Sequence, residues 1–458
     1  MTDTSVSASS PAVAAQATAP YPNVRYAWYV ATLLLSVYIL SYVDRYILSL
    51  LIEPIKTSLR LTDFQIGLLI GPAFVILFVT VGLPIGWLVD RKSRRVILST
   101  GIAVWSVMTA ACGLANSFVA LFLVRIGVGI GETTAAPCAF SLFGDYFPKN
   151  IRPRAVALFM LGAPAGAGVT YIIGGQLFEM ITAAPPVVLP IFGELFAWQT
   201  AFLIVGLPGL LVAALVWFTV REPRRQEILS KRAGGPTLGE AVGYMWKHKA
   251  SYGAVFGGII GVTAIGAASF WIPALYERNW GWGVGQSGVY VGVILIVSGI
   301  LGTQSAGWIA SKLIARGVHH APYYTVFGGA LMMIPFSILY PLMPTPETAT
   351  VMIFFFFLGM SIASGTSPSC IIAITPGELR GQATVVFFFT INLFGSLVAP
   401  PLVGIIADGM GGPGNLKYGL AYLGVGFSVL MALSLWLGFK SFKQSAAELA
   451  AASDSGAG

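Results

Sequence analysis

The chain has 458 residues, of which 56% are hydrophobic and 10% are charged, and its formal net charge is +8. Soluble proteins carry roughly 25% charged residues, so this composition excludes a soluble globular fold and predicts an outer surface that lies mostly in lipid. The three cysteines lie in apolar stretches and the three histidines in polar ones. This distribution argues against a disulfide framework or a metal centre, and we expect no cofactor.

Both ends of the chain are predicted to be disordered tails. Residues 1–24 begin with a stretch of Ala, Ser, Thr and Pro, which lacks the large apolar side chains that a folded segment buries. We expect the same of residues 444–458.

Between the tails, apolar stretches predict twelve membrane-spanning helices, because about 20 apolar residues cross the hydrocarbon core. They form an N-terminal six-helix bundle over 25–220 and a C-terminal six-helix bundle over 251–443. The basic stretch 221–250 is predicted to be a cytoplasmic linker. The predicted spans are approximately 28–51, 65–89, 96–115, 118–143, 154–182, 199–220, 252–276, 287–312, 322–342, 350–374, 381–407 and 418–440.

The distribution of basic residues predicts the orientation of these helices. Most of the 26 Lys and Arg residues lie in loops on one side of the predicted spans, and the other side holds Lys56, Arg60, Arg278 and Lys417. Because cytoplasmic loops are enriched in basic residues, both termini are expected in the cytoplasm. Contact with an anionic leaflet then accounts for the positive net charge, without nucleic acid as a partner.

The two predicted bundles repeat one another. The segment GWLVDR at 86–91 recurs as GWIASK at 307–312, and residues 148–155 share spaced positions with 376–383. Parallel six-span halves imply a pseudo-twofold axis along the membrane normal, with a central cavity between them. The predicted fold class is therefore an all-α polytopic membrane protein built from two related bundles.

The loop after the second span resembles a motif of the major facilitator superfamily. The family pattern G-x-L-x-D-R-x-G-R-R/K is matched over 86–95, except that Ser93 replaces the second glycine. In this motif the glycine allows two helices to touch and the acid pairs with arginines. The resemblance implies the major facilitator fold and a cytoplasmic gate that is latched when the opposite side is open. The implied gate residues are Gly86, Asp90, Arg91, Arg94, Arg95, Arg152 and Arg380.

Shorter segments resemble the spinster-type branch of this superfamily. They lie at 41–45 in the first span, 125–132 in the fourth, 198–202 at the start of the sixth and 376–383 before the eleventh. Spinster-type proteins are associated with export of lysolipids and sphingosine phosphate, and their bacterial members with proton coupling. The resemblance therefore implies a proton-coupled exporter of lysolipid-like amphipathic anions in a bacterial inner membrane, and we expect a monomer.

Four ionisable side chains lie well inside predicted spans: Asp44 and Arg45 in the first, and Arg125 and Glu132 in the fourth. An unpaired charge at the centre of a membrane costs at least about 2.5–3.5 kcal/mol, so we expect these charges to be paired. Asp44 and Arg125 lie at matching depths, and Glu132 lies two helical turns from Arg125 on the same face. We predict that Asp44 and Glu132 take up protons, with Arg125 as their partner.

The remaining buried cation, Arg45, projects about 100° away from Asp44 around the first span and is predicted to bind a phosphate or another anion of a substrate. The second half carries no ionisable residue well inside its spans, but it offers hydroxyl, amide and aromatic side chains. One charged wall and one apolar wall suit an amphipathic substrate. The candidate substrate-binding residues are Arg45, Tyr42, Thr133, Thr366 and Asn392.

Four other interpretations stay open from the sequence. The buried charges can form a static structural cluster, the substrate can be a small organic anion or a drug, or the protein can be a sensor that binds without transport. A membrane-embedded enzyme is the fourth. It would need a nucleophile with a base, or a metal site, and no histidine lies inside the predicted spans, so we predict no enzyme activity.

Overall fold

A computed structural model describes residues 21–148, 150–190, 192–225, 237–318 and 320–454. In this part of the chain, twelve helices are long and apolar enough to cross a membrane, which confirms the predicted fold class. Most of the predicted tail 1–24 lies outside the described residues. Spans 1 to 12 are Val24–Leu50, Asp63–Ile70 with Pro72–Val89, Arg94–Cys112, Phe118–Tyr146, Arg152–Ala183, Ala197–Thr219, Lys249–Trp280, Val284–Ile314, Ala321–Leu342, Pro346–Ala373, Arg380–Gly409 and Leu416–Asp454.

Polar side chains cap the first turns of several spans. Thr62 and Gln65 form a capping box at the start of span 2. Ser93, Ser117 and Thr345 each accept a hydrogen bond from a main-chain N–H at the start of spans 3, 4 and 10. Because the first N–H groups of a helix have no partner within it, these residues fix where the spans begin.

Several spans are interrupted, among them spans 2 and 5. Span 2 breaks at Gly71, directly before Pro72, because proline disfavours the helical conformation in the residue that precedes it. Span 5 contains a π-helical turn at Thr170–Gly174. Such turns are rare and often occur at functional sites.

Short elements join the spans. The helix Ile52–Leu59 lies between spans 1 and 2, and an antiparallel pair of strands, Val188–Leu189 and Gly193–Glu194, lies between spans 5 and 6. The helix Leu238–Lys247 lies in the predicted linker between the two halves.

The structure corrects the predicted C-terminal tail. Span 12 continues as a helix to Asp454, so residues 444–454 are helical rather than disordered. Five of these eleven residues are alanine, which has the highest helix propensity. The helix propensity of this stretch could be read from the sequence, but the lack of large apolar side chains led to the prediction of a disordered tail.

The two halves touch at the membrane face that lies away from the loop 90–93. We call this the opposite face, and the face that carries the loop 90–93 the basic face. Span 2 packs on span 11, where a Cβ on Gly67 would lie 2.5 Å from the carbonyl oxygen of Pro400. Span 5 packs on span 8, where a Cβ on Gly288 would overlap the carbonyl oxygen of Tyr171. Glycine allows two helix backbones to approach this closely.

The same spans diverge towards the basic face. A Cβ on Gly82 or Gly86 of span 2, Gly307 of span 8 or Gly381 of span 11 would meet no atom of the described residues within 4 Å. Gly86 therefore does not bring two helices into contact in this structure, in contrast to the expectation from its motif, because the halves are apart at its level. The structure is open towards the basic face.

Candidate functional site

A cavity of ≈ 240 Å³ lies between the halves, at the closed end of this opening. Spans 1 and 2 contribute residues such as Tyr42, Arg45 and Phe74 to its wall, and spans 7, 10 and 11 contribute residues such as Phe270 and Asn392. Arg45 is the one charged side chain that lines this cavity in the described part of the chain. The cavity thus has a charged wall from the first half and an uncharged wall from the second.

The guanidinium of Arg45 is held by one ion pair and several aromatic rings. Its Nη2 donates to Oε2 of Glu132 at 2.8 Å, and the Arg45 side chain is 23% exposed whereas that of Glu132 is fully buried. The guanidinium carbon lies 4.3 Å from the centre of the Phe74 ring and 5.0 Å from that of Tyr42. These contacts stabilise a cation that still reaches the cavity.

The pairing of Arg45 with Glu132 follows from the direction of helical side chains. Long side chains in a helix point towards its N-terminus, so Arg45 extends towards the level of Ser41, one turn earlier in span 1. Ser41 donates to the same oxygen of Glu132 at 2.7 Å. Ser41, Arg45 and Glu132 therefore form one buried cluster.

This cluster keeps unused hydrogen-bonding capacity. Oε1 of Glu132 and Nε of Arg45 are buried without a hydrogen-bond partner among the described residues. Buried polar atoms usually have a partner, so the arrangement leaves room for a proton on Glu132 or for a further ligand of Arg45.

Arg125 lies beside this cluster, but it does not form the expected pairs with the carboxylates of Asp44 and Glu132 among the described residues. Its Nη1 donates to the main-chain carbonyl oxygen of Asp44 at 3.0 Å, and it forms no ion pair with Asp44 or Glu132 within the described structure. The Asp44 carboxyl is buried and faces Trp105 and Thr109. The predicted depth match is present, but in this conformation Arg45 is the partner of Glu132.

The candidate substrate-binding residues fall into two groups. Tyr42, Arg45 and Asn392 line the cavity. Thr133 is buried and donates to the carbonyl oxygen of Ile130 in its own span, and Thr366 is hydrogen-bonded to Thr325 of span 9. Thr133 and Thr366 are therefore in helix packing rather than in the cavity wall.

The expected gate residue Arg94 is buried at the basic face within the first half. It is paired with Asp145 of span 4 and, through Nε at 2.6 Å, with Glu222 after span 6. Its Nη2 donates to the carbonyl oxygen of Pro223 at 3.1 Å. Arg94 therefore ties the basic ends of spans 3, 4 and 6 together.

The other expected gate residues lie around this cluster. Arg91 lies over the ring of Trp87, and Arg95 over that of Trp217. Arg152 donates to the carbonyl oxygen of Gly144, and Arg380 to that of Thr375. The Asp90 side chain is exposed and forms no ion pair or hydrogen bond with the described residues, which agrees with a basic face that is open.

Glu222 predicts a pH dependence of stability. Burial alone would raise its pKa, but hydrogen bonds from the Arg95 N–H, the Arg94 guanidinium and the Ser93 hydroxyl lower it below the ordinary value. A carboxylate whose pKa is lowered by folding stabilises the fold above its unfolded-state pKa, and this contribution is lost as pH falls through the folded-state pKa. We expect Glu222→Gln to lower the melting temperature at neutral pH and to flatten its decrease in acid. Melting curves across pH test this, with Glu378→Gln, an exposed glutamate on the same face, as the unaffected control. A Glu222→Gln profile parallel to wild type would contradict it.

An ionic cluster that the sequence did not indicate closes the opposite face. Arg278 at the end of span 7 donates to both carboxylate oxygens of Asp63 at 2.9 and 2.7 Å, and to Glu53 at 2.6 Å. Lys56 also donates to Asp63, at 2.6 Å. The bonds of Arg278 cross between the halves. The sequence held one indication of this cluster, because Arg278 is one of the few basic residues in the loops of the opposite face.

A second contact across the same closure caps a helix. The carboxylate of Asp408, at the end of span 11, accepts hydrogen bonds from the main-chain N–H groups of Asp63 and Phe64 at 3.2 and 2.9 Å. These are the first residues of span 2, where a negative charge stabilises the positive end of the helix dipole. The opposite face is thus held shut by an ion cluster and by this cap.

Removing the guanidinium of Arg278 is expected to loosen this closure. Each hydrogen bond to a charged group contributes about 1.5–3 kcal/mol, so Arg278→Gln should favour opening of the opposite face by roughly 10- to 150-fold. Reaction of an engineered cysteine inside the cavity, Thr263→Cys, with a reagent added from the opposite face measures this. Arg60→Gln removes the same charge from the same face and should leave the rate at the wild-type value. Equal rates in Arg278→Gln and wild type would show that the ion cluster does not hold the face shut.

Comparison with solved structures agrees with this fold. The structure resembles that of a bacterial homolog to the human lysosomal transporter Spinster in an inward-facing, unoccupied conformation. The TM-score is 0.78 and the identity 24%, over 93% of this chain and 99% of that chain. The inward-facing, occupied form gives a TM-score of 0.70 at 27% identity, over 94% and 96% of the two chains.

Comparison of sequences identifies the family. The chain is 28% identical to an MFS-type efflux pump of Mycolicibacterium smegmatis, over 92% of this chain and 94% of that protein. It is 26% identical to the sphingosine-1-phosphate transporter SPNS2 of Danio rerio, over 81% of this chain and 74% of that protein. The model of the Major Facilitator Superfamily matches residues 34–400. The chain therefore belongs to the major facilitator superfamily and is a membrane transporter related to the spinster proteins.

Proposed function

We propose that the protein is a proton-coupled exporter of lysolipid-like or sphingosine-phosphate-like anions that works by alternating access. The observation that carries the proposal is the position of Arg45, a cation that reaches a cavity whose other lining residues, in the part of the chain that the structure describes, are uncharged. Such a site offers one charge for a phosphate and apolar surface for a chain. The relation to a sphingosine-1-phosphate transporter supports the same substrate class.

The proposed coupling uses competition for Arg45. Ionised Glu132 forms an ion pair with the guanidinium of Arg45, because an opposite charge at short range stabilises the carboxylate. A proton on Glu132 removes that charge and releases Arg45 to bind the anionic group of the substrate. Asp44 and Arg125, next to this pair, are the second carboxyl and cation through which a proton would enter or leave. Rocking of the two halves around the cavity would then expose the site to the other face.

A proton-linked carrier of small organic anions or drugs is the second candidate. The 28% identity to an efflux pump favours it, and the same arginine would bind a short carboxylate. Competition distinguishes the two: a lysolipid exporter should be inhibited by long-chain amphiphiles and not by short acids.

Reconstituted protein tests the proposal directly. A fluorescent lysolipid is followed in liposomes with and without an imposed pH gradient, for wild type and Asp44→Asn. We expect gradient-driven flux in wild type and its loss in the variant. Wild-type flux that ignores the gradient would remove proton coupling and keep the substrate. Folded protein without lysolipid flux would favour the small-anion carrier, and binding without flux of any tested substrate would favour a sensor.

The proposed location is the bacterial inner membrane, with the basic face and both termini in the cytoplasm. The three native cysteines are buried, so exposed cysteines can be introduced one at a time. A membrane-impermeant maleimide added to intact cells should label Glu194→Cys on the opposite face and leave Arg316→Cys on the basic face unlabelled. The reverse pattern would invert the orientation.

A further inference from the structure

A groove on the outer surface of the second half has no part in the mechanism proposed above. It lies between spans 9 and 12 next to the basic face and has a volume of ≈ 540 Å³, within the range of about 300–1,000 Å³ for ligand sites. Its wall includes Tyr324, Phe327, Trp436, Leu437 and Lys440. The central cavity is lined by other spans, so this groove is separate from it, and its residues Trp436 and Leu437 are exposed on the outside of the bundle.

The floor of the groove is fixed by helix packing. The buried hydroxyl of Tyr323 donates to the carbonyl oxygen of Leu435 at 2.6 Å, which joins span 9 to span 12. The ring of Phe439 packs against Tyr324, with 5.5 Å between ring centres. Trp436 and Leu437, in contrast, are 71% and 75% exposed. The groove therefore exists before any ligand enters, and its rim is apolar.

Lys440 differs from other cations at the basic face. Arg91, Lys249 and Lys312 each lie over the ring of an exposed tryptophan, at 4.2, 5.8 and 4.5 Å from the ring centre. Lys440 is exposed at the mouth of the groove and has no ion pair, hydrogen bond or ring contact within the described part of the chain. Among the described residues, the apolar groove thus ends in a cation without a partner.

We propose that this groove binds an anionic phospholipid of the leaflet at the basic face. An acyl chain fills the space between Phe327, Trp436 and Leu437, and the phosphate lies on Lys440. The charge selects the headgroup, because a lysine near a membrane surface favours anionic lipids by roughly fivefold. The groove gives the chain a fixed place that a uniform lipid annulus lacks.

Photocrosslinking tests this site. The full chain is placed in nanodiscs that contain phosphatidylglycerol or phosphatidylcholine with a diazirine in the acyl chain, and the adducts are located by peptide mass spectrometry. Wild type should give roughly fivefold more phosphatidylglycerol than phosphatidylcholine adducts in the groove. Lys440→Gln should reduce this ratio to about one. Lys417→Gln, which removes a lysine that lies over Tyr418 on the opposite face, should keep the wild-type ratio.

Three results would overturn the proposal. Equal yields with the two lipids in wild type would mean that the groove is filled without headgroup selection. An unchanged ratio in Lys440→Gln would remove the lysine from recognition. Adducts spread evenly over the outer spans would show a uniform lipid annulus rather than a site. The lysine variants change exposed or half-exposed side chains, so loss of folding does not confuse the result.

Discussion

Gly288→Leu is expected to change which face of the protein opens. In the structure, a Cβ at this position would overlap the main chain of Tyr171 in span 5, and a backbone atom cannot move aside as a flexible side chain does. Inserting side-chain atoms into a packed contact costs about 1–3 kcal/mol. The cost disappears when spans 5 and 8 separate, so the population open at the opposite face should rise by roughly 5- to 150-fold.

Distances between spin labels on the two halves measure this change. Labels at Glu194 and Glu347 report on the opposite face, and labels at Lys92 and Arg316 on the basic face; all four side chains are exposed. In Gly288→Leu the first distance should lengthen and the second should shorten.

Gly328→Leu is the matched control for this experiment. Position 328 lies on the surface of span 9, where a Cβ would meet none of the atoms that the structure describes within 4 Å. Both distances in this control should equal those of wild type. Unchanged distances in a folded Gly288→Leu protein would show that the seam between spans 5 and 8 does not govern the opening.

Glu132→Gln is expected to remove the pH dependence of substrate binding and the transport driven by a pH gradient. In wild type, the affinity for an anionic lysolipid should rise as pH falls, because a proton on Glu132 frees Arg45 from its 2.8 Å ion pair. Glutamine is neutral at every pH and imitates the protonated state. Removing one charge-assisted hydrogen bond worth about 1.5–3 kcal/mol should tighten binding at neutral pH roughly tenfold or more. Binding of lysophosphatidylglycerol measured across pH tests this.

Two variants make the result specific. Arg45→Ala should abolish binding at all pH values, since it removes the cation itself. Glu194→Gln changes an exposed loop carboxylate and should keep the wild-type pH profile. A pH profile in Glu132→Gln that equals wild type would show that Glu132 is not the proton site, and the static structural interpretation of the cluster would then be favoured.

The membrane architecture of this protein follows from its amino-acid sequence. Twelve apolar stretches and the cost of charge in lipid are properties of single segments, so they can be read without knowing how the helices pack. The internal repeat predicted two halves. The four charges in spans 1 and 4 predicted that a functional site would lie on the wall that the first half contributes to the central cavity. Arg45 reaches the cavity wall, and its role as a substrate-binding cation stays a prediction.

The pairing of these residues, in contrast, depends on how the helices pack. Asp44 and Arg125 lie at matching depths in the membrane, yet the ion pair forms between Glu132 and Arg45. The direction of the side chains and the packing of span 1 on span 4 determine which residues pair. Closure of the opposite face by Arg278, Asp63 and Asp408 joins residues that are more than 200 positions apart in the chain. Local patterns carry no information on such contacts, and none on which face is open, since each conformation uses the same helices and differs in how the two halves meet.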